Sequence, residues 1–232
     1  MIDINNLQFS FNSSFNLFIP KLLINKGDIT GIVGNNGSGK TTLQMLILDL
    51  LKPEKGEISI KNEPVSKEVW KKFTGSYLNE SFLFGFYKPL EYLKFISQFY
   101  NIDNPTLLKR YQQYDFFIHS DIIIDSNKLI RDLSTGNKSK LGILSTIIIE
   151  PDLIILDEPF ANLDPTSKIN LKKILLQLKN EKGTTILFSS NDLNYTIDVC
   201  DKVFLLENGR IIQENDKSDS YINLTKYFKI DS

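Results

Sequence analysis

The chain has very little sulfur or imidazole: of its 232 residues, one is cysteine (Cys200) and one is histidine (His119). A single cysteine excludes a disulfide framework and any multi-cysteine zinc site. A single histidine excludes His-rich metal sites and restricts where a titrating imidazole could act. Long apolar runs are also missing. Ile147–Ile149 and Leu153–Leu156 are separated by Glu150, Pro151 and Asp152, and neither approaches the roughly 20 residues that cross a bilayer. The opening Met1–Asn6 has no basic segment followed by an apolar core, so it does not read as a secretory signal. The expectation is a soluble intracellular chain. No charge of one sign predominates either: 27 basic residues stand against 28 acidic ones. That balance argues against a broadly nucleic-acid-binding surface, and no nucleic-acid partner is expected. With 41% hydrophobic residues, a domain of this length buries roughly 70% of the surface its unfolded chain exposes, so it needs neither staple nor metal to fold.

Short β-rich runs alternate with amphipathic stretches, which predicts an α/β fold with a mostly parallel sheet. Ile2–Phe11 and Phe15–Ile24 alternate apolar and polar residues and read as antiparallel strands. Ile29–Val33 reads as a short buried strand running into a glycine-rich turn. After it comes a helix with Leu43, Leu46, Ile47 and Leu50 at i, i+3, i+4 and i+7. From Asn79 to Asp132 aromatics crowd in, and helices are predicted near Pro89–Tyr100 and Pro105–Asp115. The aromatics there read as core and inter-helix packing rather than a ligand cage. The α/β pattern resumes with a helix through Leu141, Leu144 and Ile148, then strand Leu153–Leu156, helix Thr166–Lys179, strand Thr184–Ser189 and helix Leu193–Cys200. Val203–Leu206 and Arg210–Gln213 form a hairpin turning at Glu207-Asn208-Gly209. The expected organisation is one domain over 1–232, a core of 1–78 and 133–232 interrupted by a helical insert at 79–132.

Gly34-Asn35-Asn36-Gly37-Ser38-Gly39-Lys40-Thr41-Thr42 fits the phosphate-loop pattern G-x-x-x-x-G-K-[ST], after a strand and before a helix. Glycines let the backbone turn tightly so that consecutive N–H groups face anionic oxygens. The following helix adds its N-terminal dipole. Lys40 supplies a point charge for the β/γ-phosphates, and the Thr41 hydroxyl is placed to ligate Mg²⁺. The apolar strand Leu153–Leu156 ends in Asp157-Glu158-Pro159. Carboxylates at the C-terminal end of a buried parallel strand lie in the crevice where ligands of open α/β sheets bind. Asp157 suits a second magnesium position, and Glu158 could hold the attacking water as general base. These motifs predict a Mg²⁺-using NTPase and do not say which kind.

Leu133-Ser134-Thr135-Gly136-Asn137 narrows the class, because here the chain resembles the ABC-type ATPases, whose signature runs Leu-Ser-Gly-Gly-Gln or looser variants. The resemblance covers nearly the whole chain in the family's motif order: Walker A at Gly34–Thr42, the signature, Walker B at Leu153–Glu158, a D-loop at Ala161–Asp164, and an ending around Glu207-Asn208-Gly209-Arg210. It implies a P-loop core with an N-terminal antiparallel β subdomain and an inserted α-helical subdomain. It implies head-to-tail pairing of two ATPase domains as a homo- or heterodimer. Ser134, Thr135, Gly136 and Asn137 would then meet the nucleotide bound in the opposite subunit, and Asp164 would lie at the dimer contact. Phe11 occupies the place of the aromatic that stacks on adenine, with ordinary strand packing as its alternative reading.

Three departures from the family pattern matter. The loop glutamine is absent, and Glu80 (or Asn79) takes its place as a metal-side oxygen ligand. Thr135 and Asn137 replace Gly and Gln in the signature. The switch histidine is replaced by Asn191, whose amide can donate to a γ-phosphate but cannot carry charge or transfer a proton. The resemblance thus implies an ATP-hydrolysing subunit on the cytoplasmic face of a membrane. It would power a separately encoded transmembrane permease docked on the aromatic-rich insert, of exporter type judging by Tyr87–Leu93, Glu80 and the signature variant. Asn191 motivates the alternative of a slowly or non-hydrolysing regulatory subunit; a soluble non-transport ABC ATPase is a third reading.

Overall fold

The computed structural model describes residues 1–11, 15–119, 123–124 and 127–216; residues 120–122 and 125–126 of the expected insert and 217–232 of the expected core lie outside the described residues. Strand β1 (Ile2–Phe11) pairs antiparallel with β2 (Phe15–Ile24) on one side and β4 (Lys55–Ile60) on the other, and the short β5 (Glu63–Pro64) forms an edge. The second sheet has six strands in the order β10-β9-β3-β8-β7-β6. Its centre, β3 (Ile29–Val33), β8 (Thr185–Ser190) and β7 (Leu153–Leu156), is parallel. β6 (Thr74–Tyr77) and β9 (Lys202–Glu207) extend it in parallel, and β10 (Arg210–Asp216) closes one edge antiparallel.

The apolar run of β7 is continuous because both faces are covered. Leu153 and Ile155 pack with Leu43, Leu46 and Ile47 of helix α1 (Lys40–Ile47) and with the inner face of the antiparallel sheet. Ile154 and Leu156 pack on the other face with Leu141 and Leu144 of one helix and Leu171 and Ile174 of the next. These belong to α5 (Thr135–Ile147) and α6 (Pro165–Lys182), and α7 (Leu193–Val199) precedes β9. Between β6 and α5 lie α2 (Pro89–Phe99), α3 (Asn104–Gln112) and the single turn α4 (Asp115–Ile118). Among the described residues no helix is long and apolar enough to cross a membrane.

Two expectations need correction. The helix after the glycine turn ends at Ile47, so Leu50 does not extend its stripe. The chain leaves the helix at Leu48, Asp49 takes a φ of 55°, and Leu50 is 53% exposed. The aromatic segment is likewise only partly core. Tyr92 and Phe117 are buried, but Phe82, Phe84, Phe86 and Phe99 are exposed, Phe86 by 70%. Helical spacing does not govern Phe82–Tyr87, because they precede Pro89 in a 3₁₀ turn and a loop. They pack on one another instead. Phe84 stacks on Phe86 with centroids 6.1 Å apart, Tyr87 and Phe84 both meet Phe95, and Phe95 meets Phe99 edge-on at 5.0 Å. His119 caps α4 in a left-handed conformation and faces solvent.

Candidate nucleotide-binding site

The loop from Gly34 to Gly39 joins the C-terminal end of β3 to the N-terminus of α1, beside the C-terminal end of β8, where Val33 pairs with Ser190. Gly39 has φ 109°, a conformation that favours glycine, and a Cβ there would stand 2.6 Å from the Phe15 ring. Helix α1 has neither a side-chain cap nor an acidic residue in its first turn, so its leading N–H groups stay available to an external anion. Beside the loop opens a cavity of about 440 Å³ lined by Phe11, Phe15, Asn36, Lys40, Glu158 and Asn191, together with Gly37, Gly39, Thr41 and Thr42. That volume lies in the range of small-molecule sites.

Lys40 is only 6% exposed. Its ammonium donates to the Gly34 carbonyl at 2.7 Å, the Asn35 carbonyl at 3.2 Å and Asn191 Oδ1 at 2.7 Å. It also stands 3.4 Å from Glu158 Oε1. Because Lys40 can only donate, the Asn191 amide oxygen must face it, which turns Asn191 Nδ2 toward Asn36 Oδ1, 2.9 Å away. The Asn191 backbone N–H donates to Glu158 Oε2 at 3.0 Å. The position of the missing histidine is therefore tied at once to the loop, the lysine and the acid.

Asp157 is buried, and its Oδ2 accepts from the Thr41 hydroxyl at 2.6 Å. The Ser189 hydroxyl donates to Oδ1, and the Glu158 backbone N–H donates to that same hydroxyl at 2.9 Å. Glu158 sits at φ 46°, a left-handed conformation that costs a non-glycine residue roughly 1–2 kcal/mol. Burial pushes its carboxyl above the ordinary range, against the lowering influence of the Asn191 N–H and Lys40. A raised carboxyl pKa moves the group toward the range useful to a general base. The donors near Asp157 fit Mg²⁺: a hydroxyl and a carboxylate oxygen already adjacent, both hard ligands. Among the described residues there is no cluster of three or more His, Cys, Asp or Glu side chains that could cage a metal. Glu80 is exposed in the turn Glu80–Phe82 and does not line the cavity.

None of Ser134, Thr135, Gly136 and Asn137 lines this cavity. They form the start of α5, where the Ser134 hydroxyl accepts from the Asn137 N–H at 3.3 Å as the N-cap. A Cβ on Gly136 would lie 2.9 Å from the Asn162 carbonyl oxygen, so signature and D-loop pack without space for a side chain there. Asp164 caps α6 through Ser167, which, with Lys140 nearby, holds its carboxyl well down, at about 2. Sequence reasoning missed Phe15 and Ser189. The alternation of β2 puts Phe15 on the same face as Leu17 and Ile19, which was the available signal for Phe15. Ser189 carried none beyond its place two residues before Asn191.

Fold and site together define a P-loop nucleotide-binding domain. A family model described as ABC transporter matches residues 19–161. The chain is 33% identical to the uncharacterized ABC transporter ATP-binding protein YhaQ of Bacillus subtilis over 78% of this chain and 59% of that protein. It is 31% identical to the ABC transporter ATP-binding protein NatA of the same organism, over 82% and 78% of the two chains. In fold it is similar to a dimeric ATP-binding cassette solved in a post-hydrolysis state with ADP and Pi. That comparison gives a TM-score of 0.81 and 21% identity, covering 94% of this chain and 99% of that one. The chain belongs to the ABC transporter ATP-binding family.

Proposed function

We propose that the chain is an ATP-hydrolysing subunit that dimerises on ATP and powers a separately encoded membrane permease, of exporter type, from the cytoplasmic face. One observation carries the chemistry: Lys40, Thr41, Asp157, Glu158 and Asn191, drawn from three separate segments of the chain, are linked by hydrogen bonds and an ion pair beside one cavity. In this reading the loop N–H groups and Lys40 bind the phosphates. Phe11, with Phe15 beside it, stacks on the base, and Thr41 and Asp157 hold Mg²⁺, which would neutralise charge on the phosphate oxygens. Glu158 orients the attacking water and takes its proton. Asn191 donates to the γ-phosphate once it releases Asn36. Glu80 is proposed as a further metal-side oxygen, and Ser134–Asn137 and Asp164 as contacts across the dimer.

The exposed rings of Phe84, Phe86 and Phe99 support the permease. Phe84 stacks on Phe86, and Phe95 links Phe84 to Phe99, so the rings form a surface patch of the kind that marks a protein interface. Affinity capture of the chain from its own cells is expected to bring down a membrane protein. Phe86→Asp should abolish that capture while leaving ATP binding within twofold. Capture of ribosomes instead would overturn the transport reading.

Asn191 supports a second reading, a regulator that binds ATP and turns over slowly. Asn191→His restores a titratable group beside Lys40, and turnover of the purified assembly should rise about tenfold or more and become pH-dependent near ~6.5, the ordinary imidazole range. If wild type already matches Asn191→His, the impaired-site reading is wrong.

A further inference from the structure

We infer that Ser189 is a positioning residue for nucleotide hydrolysis, its single hydroxyl setting the orientation of both Asp157 and Glu158. Ser189 is fully buried at the penultimate position of β8, a strand paired with β3 on one side and β7 on the other, with Ile32 as its partner in β3. Its oxygen is thus fixed by the centre of the sheet. A serine hydroxyl has one proton. Because the Glu158 N–H already donates to Ser189 Oγ, the serine proton goes to Asp157 Oδ1. Two consequences follow from this arrangement. Asp157 has one oxygen committed to Ser189, so the other, Oδ2, is the one turned to Thr41 and the phosphate loop. The backbone of Glu158 is held in its left-handed conformation at the N–H, which is compatible with its carboxylate reaching the Asn191 N–H and Lys40.

Thr185, at the opposite end of the same strand, is the internal comparison. It is equally buried, and its hydroxyl accepts the Gly27 N–H at 2.9 Å, far from the nucleotide cavity. Removing either hydroxyl leaves one part-buried N–H without its acceptor. Only Ser189 reaches the acids.

The inference rests on the reading of Asp157 as metal-side and Glu158 as base, and the test separates the two. Purified chains carrying Ser189→Ala, Ser189→Thr, Thr185→Val, Asp157→Asn and Glu158→Gln are compared by turnover, thermal melting and binding of a fluorescent ATP analogue at varied Mg²⁺. Ser189→Ala is expected to lower kcat 10- to 100-fold and raise the Mg²⁺ needed for half-maximal binding at least fivefold. Its affinity for the analogue without Mg²⁺ should stay within twofold. Ser189→Thr, which keeps the hydroxyl, should recover most of both effects. Thr185→Val should lose a similar amount of Tm with kcat and Mg²⁺ dependence unchanged. Wild-type kcat and Mg²⁺ dependence in Ser189→Ala overturn the inference, as does an equal loss in Thr185→Val. If Glu158→Gln keeps its turnover and Asp157→Asn its Mg²⁺ dependence, the site reading itself fails, and the inference with it.

Discussion

Glu158→Gln should lower ATP turnover by about 10²–10⁴-fold, the usual contribution of a positioned general base, while nucleotide binding changes little. The amide is isosteric and can still accept from the Asn191 N–H, so the water site keeps its shape and loses only its basicity. Stability should move the other way. The Glu158 carboxyl is raised in the folded chain, chiefly by burial. As pH climbs above the ordinary carboxylate value, the unfolded chain ionises first, and folding stability falls until the folded group ionises too. At neutral pH the wild type carries that penalty, whereas below the ordinary value both states are protonated and it vanishes. Glu158→Gln should therefore melt at or above the wild-type Tm at pH 7, and the difference should shrink toward pH 4. Lys40 keeps the Gly34 and Asn35 carbonyls and the Asn191 amide oxygen in this variant. Undiminished turnover, measured by phosphate release, would remove Glu158 from the mechanism.

The phosphate loop was legible because its chemistry needs consecutive residues: the turn, the lysine and the threonine must all lie within one strand-to-helix connection. The acids after β7 and Asn191 after β8 were legible for a related reason, since parallel strands deliver their C-terminal ends to one edge of the sheet. What could not be read depends on pairing across the chain. That Ser189 reaches Asp157 follows from the register of β8 beside β7, where Leu156 faces Phe188, and no local pattern announces it. Strand β4 gave no alternation in Lys55-Gly56-Glu57, all exposed, and only Ile58 and Ile60 turn inward. The surface aromatics misled because helical spacing was extended N-terminal to Pro89, where the backbone is not helical.

Lys40→Ala should weaken ATP binding by about 100-fold or more, since truncating one member of a buried, hydrogen-bonded charge pair typically costs 2–5 kcal/mol and each 1.4 kcal/mol is tenfold. The ammonium is held ready by two loop carbonyls and the Asn191 amide, so little ordering is required when phosphates arrive. The same variant strips Glu158 of the cation 3.4 Å away, leaving a raised carboxyl with less to counter its burial. Lys40→Ala alone should thus lower Tm at pH 7. Adding Glu158→Gln should restore much of that loss without restoring ATP affinity. The thermal coupling belongs to the pair, a non-additivity expected of residues in direct contact, whereas the affinity belongs to the lysine. Binding titrations and melts of wild type, both single variants and the double variant separate these contributions. An additive Tm pattern would mean that the ion pair contributes nothing to the resting site. Unchanged ATP affinity in Lys40→Ala would place the phosphates away from the loop.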